Sequence, residues 1–137
     1  MDLTVPYLGP LSLSPGMSVS ISGVIDNNCT RFAVNLQCGD SEDSDIALHV
    51  NPRFDDNDIV FNTLRDGYWE EEDVVPEVPF TKGESFQLII TASAEAFEIN
   101  VNGNQIHTFQ QRMPLERVSA IRVIGDVTLE TLNINEN

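Results

Sequence analysis

The chain has 137 residues, of which 22 are acidic and 7 basic, giving a net charge of −15 at neutral pH. That length suits one domain with its own core and requires no second. The charge supplies no cationic footprint for nucleic acid or an anionic membrane surface, and no segment approaches the length of a membrane span.

The N-terminus, Met1 to Pro6, has neither a basic n-region nor an apolar h-region, so the protein is expected to be made in the cytosol. Val5 to Leu13 has Pro6 and Pro10 within it and Pro15 beyond, which restricts any strand here to a sheet edge. Met17 to Ser22 alternates apolar and small polar residues, the mark of a half-buried strand that Gly23 is expected to end. Asn28-Cys29-Thr30 matches a glycosylation sequon but reads as an unused coincidence in a turn. Arg31 to Leu36 alternates again, with Phe32, Val34 and Leu36 inward and Cys38 continuing that face as a small hydrophobe. Cys29 and Cys38 are the only cysteines, and a chain of this size does not need them as a staple, so free thiols are expected.

Gly39 to Asp45 is an acidic loop without local counterions. Next comes a strand in which Ile46, Leu48 and Val50 face the core while His49, Asn51 and Arg53 share the other face. Pro52 lacks an N–H, which places it at a sheet edge or at the strand's own end. After the polar turn Asp55 to Asp58, Ile59 to Leu64 forms a strand carrying a carboxamide, Asn62. Arg65-Asp66-Gly67 turns into Tyr68-Trp69, and the four acids Glu70 to Asp73 behind Trp69 favour an exposed aromatic platform over a core plug.

Ser85 to Ala92 is a strand, and Phe97 to Asn102 with Gln105 to Phe109 makes a hairpin across Gly103-Asn104. Gln110 to Glu116 is the one place suited to a short helical turn. Strands resume at Val118 to Ile124 and Val127 to Ile134. About ten short strands with regular turns, and no convincing helical period, argue for an all-β sandwich of two antiparallel sheets.

Catalytic signatures are absent: there is no G-x-S-x-G, no Cys/His nucleophile context and no phosphate-cradling glycine loop. A glycosidase would need two carboxylates across a bond, and nothing pairs those of Glu70 to Asp73. His49 and His107 lack metal-ligand spacing, so no metal or cofactor is expected and His107 reads as a structural or surface histidine in a hairpin. What remains is a strand face with His49, Asn51, Arg53 and Asn62, a tryptophan platform and nearby Glu72. A sugar has a C–H face that stacks on indole and a rim of hydroxyls that needs mixed donors and acceptors.

These residues carry a family resemblance. His49-Val50-Asn51-Pro52-Arg53, Val60-Phe61-Asn62 and Trp69-Glu70-Glu71-Glu72-Asp73-Val74 resemble the H-x-N-P-R, V-x-N and W-G-x-E-x-R motifs of the galectins, and the likeness extends over essentially the whole chain, residues 1–137, as a single domain. It implies a jelly-roll β-sandwich that binds β-galactosides of the lactose or N-acetyllactosamine type without metal. His49, Asn51 and Arg53 would then hold the axial 4-hydroxyl, Asn62 and Glu72 the 6-hydroxyl, and Trp69 the C–H face. It also implies a protein exported, where it leaves the cytoplasm, without a signal peptide.

Two positions depart from the pattern: Glu70 stands for Gly, and Val74 for the arginine that supports the glutamate and touches the second sugar. Glu72 would then be neutralised mainly by Arg53. A charge-assisted hydrogen bond is worth about 1.5–3 kcal/mol, so second-sugar binding is expected to be roughly ten- to hundredfold weaker. The alternative is a galectin-related structural or protein-interaction protein that has lost useful sugar binding; six retained site positions against one lost favour the lectin. The terminal segments Val5–Leu13 and Val127–Ile134 are suited to pairing in a non-covalent homodimer. Asp55, Asp56, Glu71 and Asp73 should disfavour anionic glycans. Protonation of His49, ordinarily near about 6.5, should weaken binding in mild acid.

Overall fold

Alternating side chains specify strands here, and strands are what form. In a computed structural model that describes residues 2–136, the chain order among the described residues is β1 (Tyr7–Pro10), β2 (Ser18–Ile25), β3 (Phe32–Gln37), β4 (Ile46–Arg53), β5 (Asp58–Arg65) and β6 (Tyr68–Trp69). Then follow β7 (Asp73–Val75), β8 (Ser85–Ala92), β9 (Ala96–Val101), β10 (Asn104–Gln110), a 3-10 turn (Leu115–Arg117), β11 (Ala120–Gly125) and β12 (Val127–Asn135). Every named pairing is antiparallel. One sheet runs β1-β11-β3-β4-β5-β6, with β7 also on β5; the other runs β10-β9-β8-β2-β12. Their inner faces close over one core whose largest fully buried side chains include Phe32, Phe61, Phe97 and Phe109. Among the described residues no helix is long and apolar enough to cross a membrane.

Three local readings of the sequence need correction. Gly23 does not end β2, which continues to Ile25; its partner β12 bulges between Leu129 and Thr131, and the Thr128 carbonyl oxygen fills the place a Cβ at position 23 would need. Glycine therefore marks a close backbone approach inside the strand rather than its end. Ile46 is buried but lies outside the core cluster, where Ala47 sits instead, because the ladder slips between Ile46 and His49. Cys38 is half-buried rather than fully enclosed. Both cysteines are free thiols, and burial pushes the Cys29 thiol up to about 11.

Pro52 is tolerated for the second of the expected reasons. β4 lies inside its sheet between β3 and β5, and Pro52 is its penultimate residue. The outer end of that sheet is shared: β6 pairs Leu64 with Trp69, whereas β7 pairs Val60 with Val74. The residue sums of the two registers differ by one, so one extra residue is accommodated around Glu70 to Glu72. That slip lets Trp69 and Val74, at odds in parity, both serve the face that carries Asn62.

Candidate functional site

The register of β3, β4 and β5 lays a polar row across one sheet face. His49 pairs with Asn35 on one side and Asn62 on the other, and Asn51 pairs with Val60. His49, Arg53, Asn62, Trp69 and Glu72, together with Val60 and Glu70, line one shallow cleft of about 360 Å³. Five of the six sequence-predicted side chains thus share a wall. Asn51 is buried beside it: its Nδ2 donates to the Phe32 carbonyl at 2.8 Å, and its Oδ1 accepts from Arg53 Nε at 2.8 Å. Its evident task is to aim the guanidinium.

His49 is held from the other side. Nδ1 lies 2.6 Å from Asn35 Oδ1, and since a carbonyl oxygen can only accept, the proton sits on Nδ1 and Nε2 is left as an acceptor. Burial, and next the charge of Arg53, push the His49 pKa down to about 4. The imidazole is therefore neutral in mild acid, which overturns the expectation of titration near neutrality. The Trp69 ring lies 4.6 Å from the His49 ring, tilted by 48°, and is 51% exposed, as a stacking platform requires.

Asn62 is anchored by neighbours that sequence reading did not single out. Its Nδ2 donates to the Glu70 carbonyl at 2.9 Å, while its Oδ1 accepts from Thr63 N at 2.7 Å and from Arg112 Nη1 at 3.1 Å. Glu70, where the motif has glycine, accepts from Arg65 Nε at 2.7 Å and lies 3.9 Å from Arg112. Arg65 also donates to the Arg112 carbonyl at 2.7 Å. Arg112 reaches on to Asp73 at 3.5 Å, and Asp73 bonds His107 at 2.9 Å. His107 stacks on Phe61, so it is structural, as expected. Arg112 follows β10 by two residues; only folding brings it to the cleft, and no local spacing signals it.

The charges are distributed differently from the sequence expectation. Arg53 faces Asp56 at 3.9 Å rather than Glu72, and Arg31 holds Asp55 at 3.0 Å and Asp56 at 3.1 Å. Among the described residues the exposed Glu72 carboxylate has no partner. Asp45 in the acidic loop, by contrast, is not solitary: the Asp66 backbone N–H donates to it, Arg117 bonds it at 2.9 Å, and the two hold its carboxyl below the usual range. Asp55, Asp56 and Asp73 are thus paired, whereas Glu71, like Glu72, has no partner among the described residues. Val74 lies beside Val60, 49% exposed, where a longer cationic side chain would overhang the cleft. Among the described residues no group of three or more His, Cys, Asp or Glu side chains is placed to hold a metal ion.

Comparison with known proteins bears on the family and the fold. Residues 5–134 match the family model described as galactoside-binding lectin. Human galectin-7 is 42% identical over 125 residues, covering 91% of this chain and 92% of its own length. Human galectin-4 is also 42% identical, over 133 residues, but the chain spans only 41% of that longer protein. Among solved structures, a human galectin-16 variant superposes with a TM-score of 0.91 at 36% identity, covering 98% of both chains. Sheep galectin-11 in complex with glycerol gives 0.89 at 27% identity, covering 98% of this chain and 100% of its own.

Proposed function

The chain belongs to the galactoside-binding lectins, the galectins, and on that premise we propose that it binds β-galactosides of the lactose type in the cleft between β4, β5 and β6. The observation that carries the reading is the meeting of His49, Arg53, Asn62, Trp69 and Glu72 on one cleft. In this reading a galactose ring stacks its C–H face on Trp69 while its axial 4-hydroxyl donates to His49 Nε2 and accepts from Arg53, whose aim is set by Asn51. A glucose-type epimer puts that hydroxyl elsewhere and leaves the donors and acceptor unpaired, which is the basis of discrimination. Asn62 and Glu72 meet the 6-hydroxyl. No bond is made or broken, so the protein acts as a binder rather than an enzyme, with neither metal nor cofactor.

Val74 leaves the second sugar without a cationic partner, so contacts beyond galactose are weaker than in a site with arginine there. The structural or interaction-protein alternative draws support from that same exposed valine and from the unpartnered Glu72. The partners of the lectin reading are galactoside-bearing glycoproteins or glycolipids. A second copy of the chain is a further partner: β1 and β12 are the outer strands of their sheets and expose Leu8 and Ile134.

Trp69 is the only tryptophan, so the protein's indole emission reports on this cleft alone. Saturable change in that emission with lactose, absent with maltose, is the expected result. Equal or no response to both sugars would favour the alternative.

A further inference from the structure

Asn62 can meet a ligand in only one way if its amide is fixed, and what fixes it comes from far along the chain. Thr63 N and Arg112 Nη1 both donate to Oδ1, so that oxygen is already used on the protein side. Nδ2 gives one hydrogen to the Glu70 carbonyl and keeps one for a ligand on the cleft. Arg112 is itself over-determined: Glu70 and Asp73 flank its guanidinium, Arg65 holds its carbonyl, and the guanidinium lies 4.6 Å over the Phe109 ring. Glu70 is in turn held by Arg65.

We infer that Arg112, clamped by Glu70 and Asp73, is a positioning residue for ligand recognition, which from behind the cleft presents Asn62 as a hydrogen-bond donor. Arg112 touches no ligand in this arrangement. Its effect is confined to the hydroxyl that Asn62 meets. The glutamate at position 70 thereby acquires a use: it is one arm of the clamp. The inference rests on the galactoside reading, in which that hydroxyl is the 6-hydroxyl.

The test pairs methyl β-galactoside with its 6-deoxy counterpart, titrated into the native protein and into Arg112→Met, which keeps an unbranched apolar stem against Phe109. The native protein should prefer the 6-hydroxylated sugar. The variant should lose about tenfold in affinity for that sugar and little for the 6-deoxy one. Equal losses for both sugars, an unchanged preference, or no preference in the native protein would overturn the inference. A second readout needs no ligand: the 15N order parameter of the Asn62 Nδ2 group should be lower in Arg112→Met than in the native protein, although the Thr63 and Glu70 bonds remain. An order parameter unchanged by the substitution would also overturn it. If neither sugar binds the native protein, the galactoside reading fails, and the amide order parameter alone decides the role of Arg112.

Discussion

His49 shows how far a site residue can be moved from its ordinary chemistry by its surroundings. Burial and the Arg53 charge hold its pKa down at about 4, while Asn35 fixes the tautomer. Affinity for lactose should therefore be the same at pH 7.5 and pH 5.5 by calorimetric titration, and fall only as pH approaches 4; a severalfold loss at pH 5.5 would show the imidazole to be titrating normally. Stability behaves differently. Because the folded pKa lies below the unfolded value of about 6.5, the unfolded chain binds the proton first, and this group removes stability as pH drops from about 6.5 to about 4, by up to about 3 kcal/mol. That five of the six proposed residues would meet on one cleft was legible because their types and spacing are local properties of the sequence. Asn35 and Arg112 were not. Asn35 looks like any polar residue on an alternating strand, and Arg112 reaches Asn62 across 50 residues of chain.

Among the elements, β7 is the one that, on the galactoside reading, sets how far recognition extends past the first sugar. Its pairing with β5 sets Val74 beside Val60, on the face that carries Asn62. Val74→Arg should restore a cation near the unpartnered Glu72 and raise affinity for lactose by about tenfold, with a smaller gain for methyl β-galactoside, which lacks a second sugar. Equal gains for the two ligands would place the new guanidinium on the galactose rather than beyond it. Strand positions were readable because period-two alternation is a local property, and β4 is where it was sought. Its irregularities were less so: the slip at Ile46, the bulge opposite Gly23 and the one-residue offset between β6 and β7 arise from partner strands. A single strand's sequence does not encode which residue its neighbour skips.

For the whole molecule, the charge of −15 acts less on the cleft than the acidic residues around it suggest, because arginines pair with Asp55, Asp56 and Asp73. Among the described residues Glu71 and Glu72 stay exposed and unpartnered, so the penalty for sulfated or sialylated galactosides should be small and screened by salt. The same charge opposes self-association, while the apolar Leu8 and Ile134 on the outer strands favour it. Light scattering at high protein concentration should give the mass of two chains, shifting toward that of one as salt is lowered; a mass of one chain throughout would remove the dimer. The measurement that bears most directly on the central claim is a calorimetric titration of the native protein and of Arg53→Ala with lactose, with maltose as the epimeric control. Saturable heat from lactose alone, abolished by the substitution, is the predicted result. No heat from millimolar lactose, or heat that survives in Arg53→Ala, would contradict a galactoside site built on β4.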